Sequence, residues 1–211
     1  MSHQAAAKAN SAARSAEGDP ATRRLIVALT GASGVVYGIR ALELLRELGG
    51  IESHLVISAA ALRTIAEETD DDPVRIRALA DVVHDHRDIG ASIASGSFRT
   101  MGMLVAPCSV RTLSGIAHAA SDDLIIRAAD VCLKERRRVV LLFRETPLHA
   151  GHIALMERAT TSGAVVMPPV PAFYGRPRTI DDIVVQTIGR ALDLFDIDLP
   201  QTVRWRETRR T

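Results

Sequence analysis

Aromatic residues make up only 3% of this 211-residue chain, and there are just two cysteines. Scarce aromatics leave no platform on which nucleic-acid bases could stack. Cys108 and Cys132 lack any paired metal-ligand spacing, and so few cysteines suit a reduced cytoplasmic setting rather than a disulfide scaffold. A surplus of charge is missing too. With 26 Lys and Arg against 25 Asp and Glu, the net charge is +1, and bulk electrostatic binding of nucleic acid is excluded. No apolar run approaches the roughly 18 residues that a membrane span needs. What is present is 47% hydrophobic and 24% charged residues, an ordinary globular composition in a chain long enough for one substantial core.

Residues 1–22 are Ala- and Ser-rich, carry no apolar periodicity and read as a disordered tail ahead of a single domain over 23–211. A transit peptide has a similar composition, but Glu17 and Asp19 count against one. From residue 24 onward, apolar runs alternate with amphipathic ones. Strands are predicted at Leu25 to Leu29, His54 to Ile57, Leu104 to Ala106, Val139 to Phe143 and Val165 to Met167. The runs at 25 and 139 are almost continuously apolar, as strands covered on both faces should be. Helices are predicted at Val35 to Leu48, stopped by Gly49-Gly50, and at Ala59 to Glu68. Two short ones are expected between Leu113 and about Ala129, broken near Ser121-Asp122. Another runs from His149 to Thr161, and the last begins at the N-cap Thr179 and ends near Leu194. This order predicts a doubly wound, mainly parallel α/β sheet, with ligands at the carboxyl ends of its strands.

Thr30-Gly31-Ala32-Ser33-Gly34 joins the first strand to the first helix. A strand that turns through small residues into a helix offers backbone N–H groups to an anion such as a phosphorylated cofactor. The loop is neither the dinucleotide-binding Gly-x-Gly-x-x-Gly nor a P-loop, and a plain tight turn has the same composition. Ser58, Ser109 and Thr112 also fall just past strand ends, where they can serve a phosphate crevice, cap the next helix, or do both. Ser95-Gly96-Ser97 either closes over a ligand or turns the chain.

Arg127, Lys134, Arg136, Arg137, Arg138 and Arg144 surround the strand at 139. Arg144 stands at the ligand edge of that strand and needs an anionic partner, for which a phosphate would serve. Glu145 beside it is a candidate acid/base. Phe173 and Tyr174 sit in a proline-stiffened loop able to wall a pocket, and Trp205 needs an apolar home. The histidines form no ligand set, so no metal site is predicted. Cys108 reads as a buried core residue rather than a nucleophile.

Thr30 to Gly34, Ser95-Gly96-Ser97, Ala106-Pro107-Cys108-Ser109, Ile126 to Asp130, Leu133 to Arg137, Arg144-Glu145-Thr146-Pro147 and Pro169 to Tyr174 together resemble the UbiX family of flavin prenyltransferases. The resemblance spans about residues 24 to 206. It implies a flavodoxin-like Rossmann fold and a homo-dodecamer that works without metal. It also implies transfer of the dimethylallyl group of dimethylallyl monophosphate to N5 and C6 of reduced FMN. Prenylated FMN then passes to a UbiD-type decarboxylase, in ubiquinone synthesis or on phenolic acids.

Carried onto this sequence, the resemblance implies FMN contacts at Gly31, Ala32, Ser33, Ser58, Ser109, Val110, Arg111, Thr112, Arg127 and Arg144. It implies prenyl-phosphate contacts at Ser33, Lys134, Arg144, Tyr174 and Arg190, with Trp205 near the prenyl group. Ser33, Glu68, Lys134 and Glu145 are the implied catalytic set. Two positions depart from the pattern: Ile89 replaces a tryptophan of some members, and Arg111 stands where members carry Gly or Lys. Two rivals share this fold or site. One is a flavin-dependent decarboxylase of the phosphopantothenoylcysteine type, disfavoured by Pro107-Cys108-Ser109-Val110; the other is a non-catalytic FMN-binding subunit.

Overall fold

A computed structural model describes residues 22–205. The predicted tail over 1–22 therefore lies outside the described residues except for Thr22. Within these residues six strands form one sheet: β1 (Arg24–Leu29), β2 (Glu52–Ile57), β3 (Val82–His84), β4 (Gly102–Cys108), β5 (Arg138–Phe143) and β6 (Val165–Val166). Seven helices among the described residues connect or follow them: α1 (Val35–Leu48), α2 (Ala59–Glu68), α3 (Pro73–Ala78), α4 (Val110–Ala117), α5 (Leu124–Lys134), α6 (Ala150–Thr161) and α7 (Ile180–Asp193). The helices begin where local chemistry says they should. Ser58, Asp72, Ser109 and Asp123 cap α2, α3, α4 and α5 with their side chains. Thr179 and Asp182 form a reciprocal capping box on α7.

Every described strand pair is parallel, and the order is β3-β2-β1-β4-β5-β6. The chain builds outward from β1 to β3, then returns to lay β4 on the other side of β1. Helices consequently cover both faces. Leu25, Val27 and Leu29 of β1 meet α1, α2, α3 and α7, while Ile26 and Ala28 meet α4, α5 and α6. That explains the unbroken apolar run, since neither parity of β1 faces water. The reversal of order between β1 and β4 opens a crevice at their carboxyl ends, the position where doubly wound sheets bind ligands.

Two elements escaped the sequence periodicity. β3 is a three-residue edge strand with Val83 exposed, and α3 buries only Ile76. Neither is long enough to show a repeat. No described helix is long and apolar enough to cross a membrane.

Candidate functional site

The crevice floor is held by Thr30. Its buried hydroxyl donates to the Pro107 carbonyl at 2.7 Å and accepts from the Ser109 N–H at 2.8 Å. One side chain thus ties the end of β1 to the end of β4. Gly31 passes so close to α2 that a Cβ there would lie 2.3 Å from the Ala60 Cβ. Only glycine admits this approach, which brings the loop against the N-terminus of α2. Ser58 and Ser109 act as N-caps, accepting from Ala61 N at 3.1 Å and Thr112 N at 3.3 Å, yet both still line the crevice. The capping and ligand-facing readings hold together.

The resulting cavity measures about 260 Å³. It is lined by Gly31, Ala32, Ser33, Ser58, Ser109, Val110, Arg111, Thr112, Arg144 and Glu145 among the predicted residues. Ala60 and Asp123 join them unforeseen. Asp123 had a signal in the sequence, being an acid directly before the apolar start of α5, but that signal speaks of a cap and not of a crevice. Arg144 follows β5 and is exposed; among the described residues no carboxylate pairs with it. Glu145, half-buried beside it, accepts from its neighbour Thr146 N at 2.9 Å. Arg111 differs in being tied to Asp122 at 3.3 Å and Asp123 at 3.7 Å.

The N-terminus of α1 is partly occupied. Gly34 holds a left-handed conformation and gives no side-chain cap, so Glu68, reaching from the end of α2, supplies one. Its Oε2 accepts from Gly34 N at 2.7 Å and Val35 N at 3.3 Å. These N–H groups were expected to face an anion, but a protein carboxylate takes them. Anion binding at this edge is left to Arg144, to Ser33 with its exposed hydroxyl, and to the α2 and α4 termini.

Other predicted residues stand elsewhere in the single chain. Arg127, on α5 one turn beyond Asp123, pairs with Asp130 at 2.9 Å. Tyr174 donates to the Val203 carbonyl at 3.2 Å and meets Trp205 edge to face at 5.6 Å. Gln186, which no sequence signal marked, donates to Tyr174 Oη at 3.1 Å and holds Val203 from both sides at 2.8 and 2.9 Å. Arg190, one turn along the same face of α7, pairs with Asp193. Trp205 remains 66% exposed. Lys134 ends α5 and pairs with Glu135, close to Gly96. Because α5 leads into the start of β5, Lys134 lies at the amino edge of the sheet, roughly 17 Å from Arg144 across the length of that strand. None of these five lines the crevice of its own chain.

A larger cavity of about 370 Å³ is lined by Arg40, Asp181, Gln186 and the loop at 175–178. No strand-end residue borders it, and Arg40 is already paired with Asp181 at 3.3 Å, so it lacks the features of the crevice. Burial pushes the Cys108 thiol well up, and raises Cys132 to about 11, so both stay protonated and unreactive. Among the described residues, no group of three His, Cys, Asp or Glu is placed to hold a metal ion.

The fold and crevice define a doubly wound α/β protein with a phosphate-type site at the switch point of its sheet. Residues 13–191 match the Flavoprotein family. The chain is 57% identical over 185 residues to the flavin prenyltransferase UbiX of Escherichia coli K12, covering 87% of this chain and 98% of that one. It superposes with a TM-score of 0.86 and 52% identity on the crystal structure of AnUbiX (PadA1) in complex with FMN and dimethylallyl pyrophosphate, covering 88% of this chain and 98% of that one. A dodecameric FMN-dependent UbiX-like decarboxylase from E. coli O157:H7 gives 0.85 and 46%, over 87% and 100% of the two chains. The chain belongs to the Flavoprotein family and, within it, to the UbiX flavin prenyltransferases.

Proposed function

We propose that this protein transfers the dimethylallyl group of dimethylallyl monophosphate to N5 and C6 of reduced FMN, and that the prenylated FMN serves a UbiD-type decarboxylase. One observation carries the reading. Arg144 has no carboxylate partner among the described residues, and it stands over a crevice built from Gly31, Ser33, Ser58 and Ser109. A cation so placed, with two helix N-termini beside it, fits a phosphorylated flavin.

The chain's own groups have separate tasks in this reading. Ser58, Ser109, Val110, Thr112 and Arg144 hold FMN, with Gly31 and Ala32 allowing close approach and Arg111 and Arg127 at its margin. Glu68 keeps the α1 terminus in place. Lys134, Arg144 and Arg190 stabilise the charge that develops on the departing phosphate, the task a metal performs elsewhere. Tyr174 and Trp205 offer an electron-rich wall to the allyl group. Ser33 lies where both ligands meet, and Glu145 or the released phosphate accepts the proton lost at ring closure.

Lys134, Tyr174, Arg190 and Trp205 do not reach the crevice of their own chain, and about 260 Å³ falls short of the roughly 300–1,000 Å³ usual for a ligand of this size. A homo-dodecamer, the state of the E. coli O157:H7 relative, lets neighbouring copies complete the site. Exposed Phe173, Ile180 and Trp205 suit such contacts. A cytoplasmic setting and a single domain over 23–211 belong to the same reading.

Anaerobic incubation with reduced FMN and dimethylallyl monophosphate, followed by mass spectrometry, should reveal an FMN-plus-C5 species. Its absence would overturn the reading. CO2 release by the isolated protein would favour the decarboxylase instead, although no histidine among the described residues lines the crevice.

A further inference from the structure

Central parallel strands are ordinarily apolar throughout, but β1, β2 and β3 carry a chain of four ionisable residues on the face covered by α5. Arg24 Nε donates to Glu52 Oε1 at 2.8 Å, and His54 Nε2 lies 2.7 Å from the same oxygen. His54 Nδ1 lies 2.9 Å from His84 Nε2. Arg24 and His54 are only 5% and 2% exposed. Burial alone would raise the Glu52 carboxyl, but hydrogen bonds from His54 and Arg24 outweigh it and hold Glu52 below its ordinary range. An ionised Glu52 can only accept. His54 therefore carries its proton on Nε2, its Nδ1 is a lone pair, and His84 donates to it through Nε2–H. All three links are then satisfied in one tautomeric arrangement.

Stability does not account for this arrangement. Desolvating such groups costs energy, and well-packed apolar residues would commonly do as well or better. What a satisfied polar network does supply is a fixed geometry at its ends. Here the end is Phe98. The Arg24 guanidinium lies 4.9 Å from its ring centroid, and the His54 ring meets it edge-on at 5.2 Å. Phe98 closes the segment Ser95-Gly96-Ser97-Phe98, whose Gly96 and Phe98 carbonyls accept from Arg137 at 2.6 and 2.7 Å. The Ser95 and Ser97 hydroxyls lie 2.9 Å apart. Gly96 faces Lys134 so closely that a Cβ there would be 2.7 Å from its Nζ. Two hydroxyls thus sit on a short loop anchored from beneath, with Lys134 Nζ and its partner, the Glu135 carboxylate, both lying against Gly96.

We infer that Arg24, Glu52, His54 and His84 are positioning residues for a prenyl-phosphate half-site formed by Ser95, Ser97 and Lys134, acting through Phe98. The inference rests on the prenyltransferase reading above. Arg24 and Glu52 begin β1 and β2, at the opposite end of those strands from the Arg144 crevice, so the network should govern the prenyl donor and leave FMN binding alone.

The full-length protein tests this in anaerobic prenyl-transfer assays, with FMN affinity measured separately by fluorescence quenching. His84→Leu removes the donor to His54 and should raise KM for dimethylallyl monophosphate about tenfold, the scale of one unpaired buried acceptor. FMN affinity should stay within about twofold. His84→Gln, which restores an N–H near the Nε2 position, should bring the donor KM back to near wild type. Phe98→Leu leaves the hydrogen bonds intact but uncouples them from the loop, and should reproduce the rise. It also decides the matter should His84→Leu fail to fold. An unchanged donor KM in these variants, or equal losses in donor KM and FMN affinity, overturns the inference while leaving the prenyltransferase reading intact. Absence of transfer by the wild-type protein overturns both.

Discussion

Replacing Gly38 with alanine tests how closely α1 must lie on the sheet. Gly38 is buried in the first half of α1, over the junction of β1 and β4. A Cβ at this position would sit 2.2 Å from the Ala106 carbonyl oxygen and 2.8 Å from Leu29 Cγ and Cδ1. Even close carbon–oxygen contacts in proteins are about 3.3–3.6 Å, so roughly 1 Å of separation must be found. The obstructing oxygen belongs to the backbone of a central strand and cannot turn aside. Leu29 is fully buried and has little room. The helix must therefore retreat, loosening Leu42 and Leu45 beneath it. Overpacking of this kind costs about 1–3 kcal/mol and sometimes more, against a gain of up to about 1 kcal/mol in helix propensity. A net loss of about 2 kcal/mol lowers Tm by roughly 4–8 °C in a domain of this size. Because α1 begins at the crevice loop, FMN affinity should fall as well. Thermal melting followed by circular dichroism, paired with FMN titration, measures both effects. Gly90→Ala, whose Cβ would meet only Asp88 Oδ1 at 3.4 Å, is the control and should leave Tm unchanged. A Gly38→Ala protein melting within about 1 °C of wild type would refute the argument that this close approach is required.

Three further outcomes are expected. Thr30→Val keeps the shape but strands the Pro107 carbonyl and the Ser109 N–H, and should cost about 2–4 kcal/mol by urea denaturation. Ser33→Ala should slow prenyl transfer more than it weakens FMN binding, since Ser33 is exposed over the crevice and its side chain bears no hydrogen bond among the described residues; equal losses would reduce the loop to a turn. Burial lowers His54 and His84 below the ordinary 6.5, with Glu52 opposing the effect at His54. The unfolded chain then binds protons first as pH falls. The stability contributed is complete above 6.5 and is lost progressively below it, so the urea midpoint should decline between about pH 7.5 and pH 5. A flat midpoint over that range would count against the buried histidine pair.

Much of the fold was legible because burial imposes local patterns. The apolar runs of β1 and β5, the amphipathic spacing of α1 and α2 and the cap at Thr179 all follow from such patterns. β3 and α3 were not legible, since three and six residues cannot display a period. In the site, Ser58, Ser109 and Arg144 were legible from their places just after strands, a position that strand direction alone makes functional in a parallel sheet. Gln186 was not, because its importance lies in reaching Tyr174 and Val203, 12 and 17 residues further away.

By itself, then, the sequence determined the alternation of strand and helix, the burial of β1 on both faces and the small-residue turn at Thr30 to Gly34. Each depends on neighbours within a few residues. Strand order was decided only by tertiary structure, and with it the meeting of Ser33, Ser58, Ser109 and Arg144 around one crevice. So too was the choice of partner for every charge. Glu68 caps α1, Arg111 is tied to Asp122 and Asp123, and Arg144 stands without a carboxylate among the described residues. Charge pairing depends on distance in space, and a helix end or strand edge acquires its partners only once the sheet is assembled.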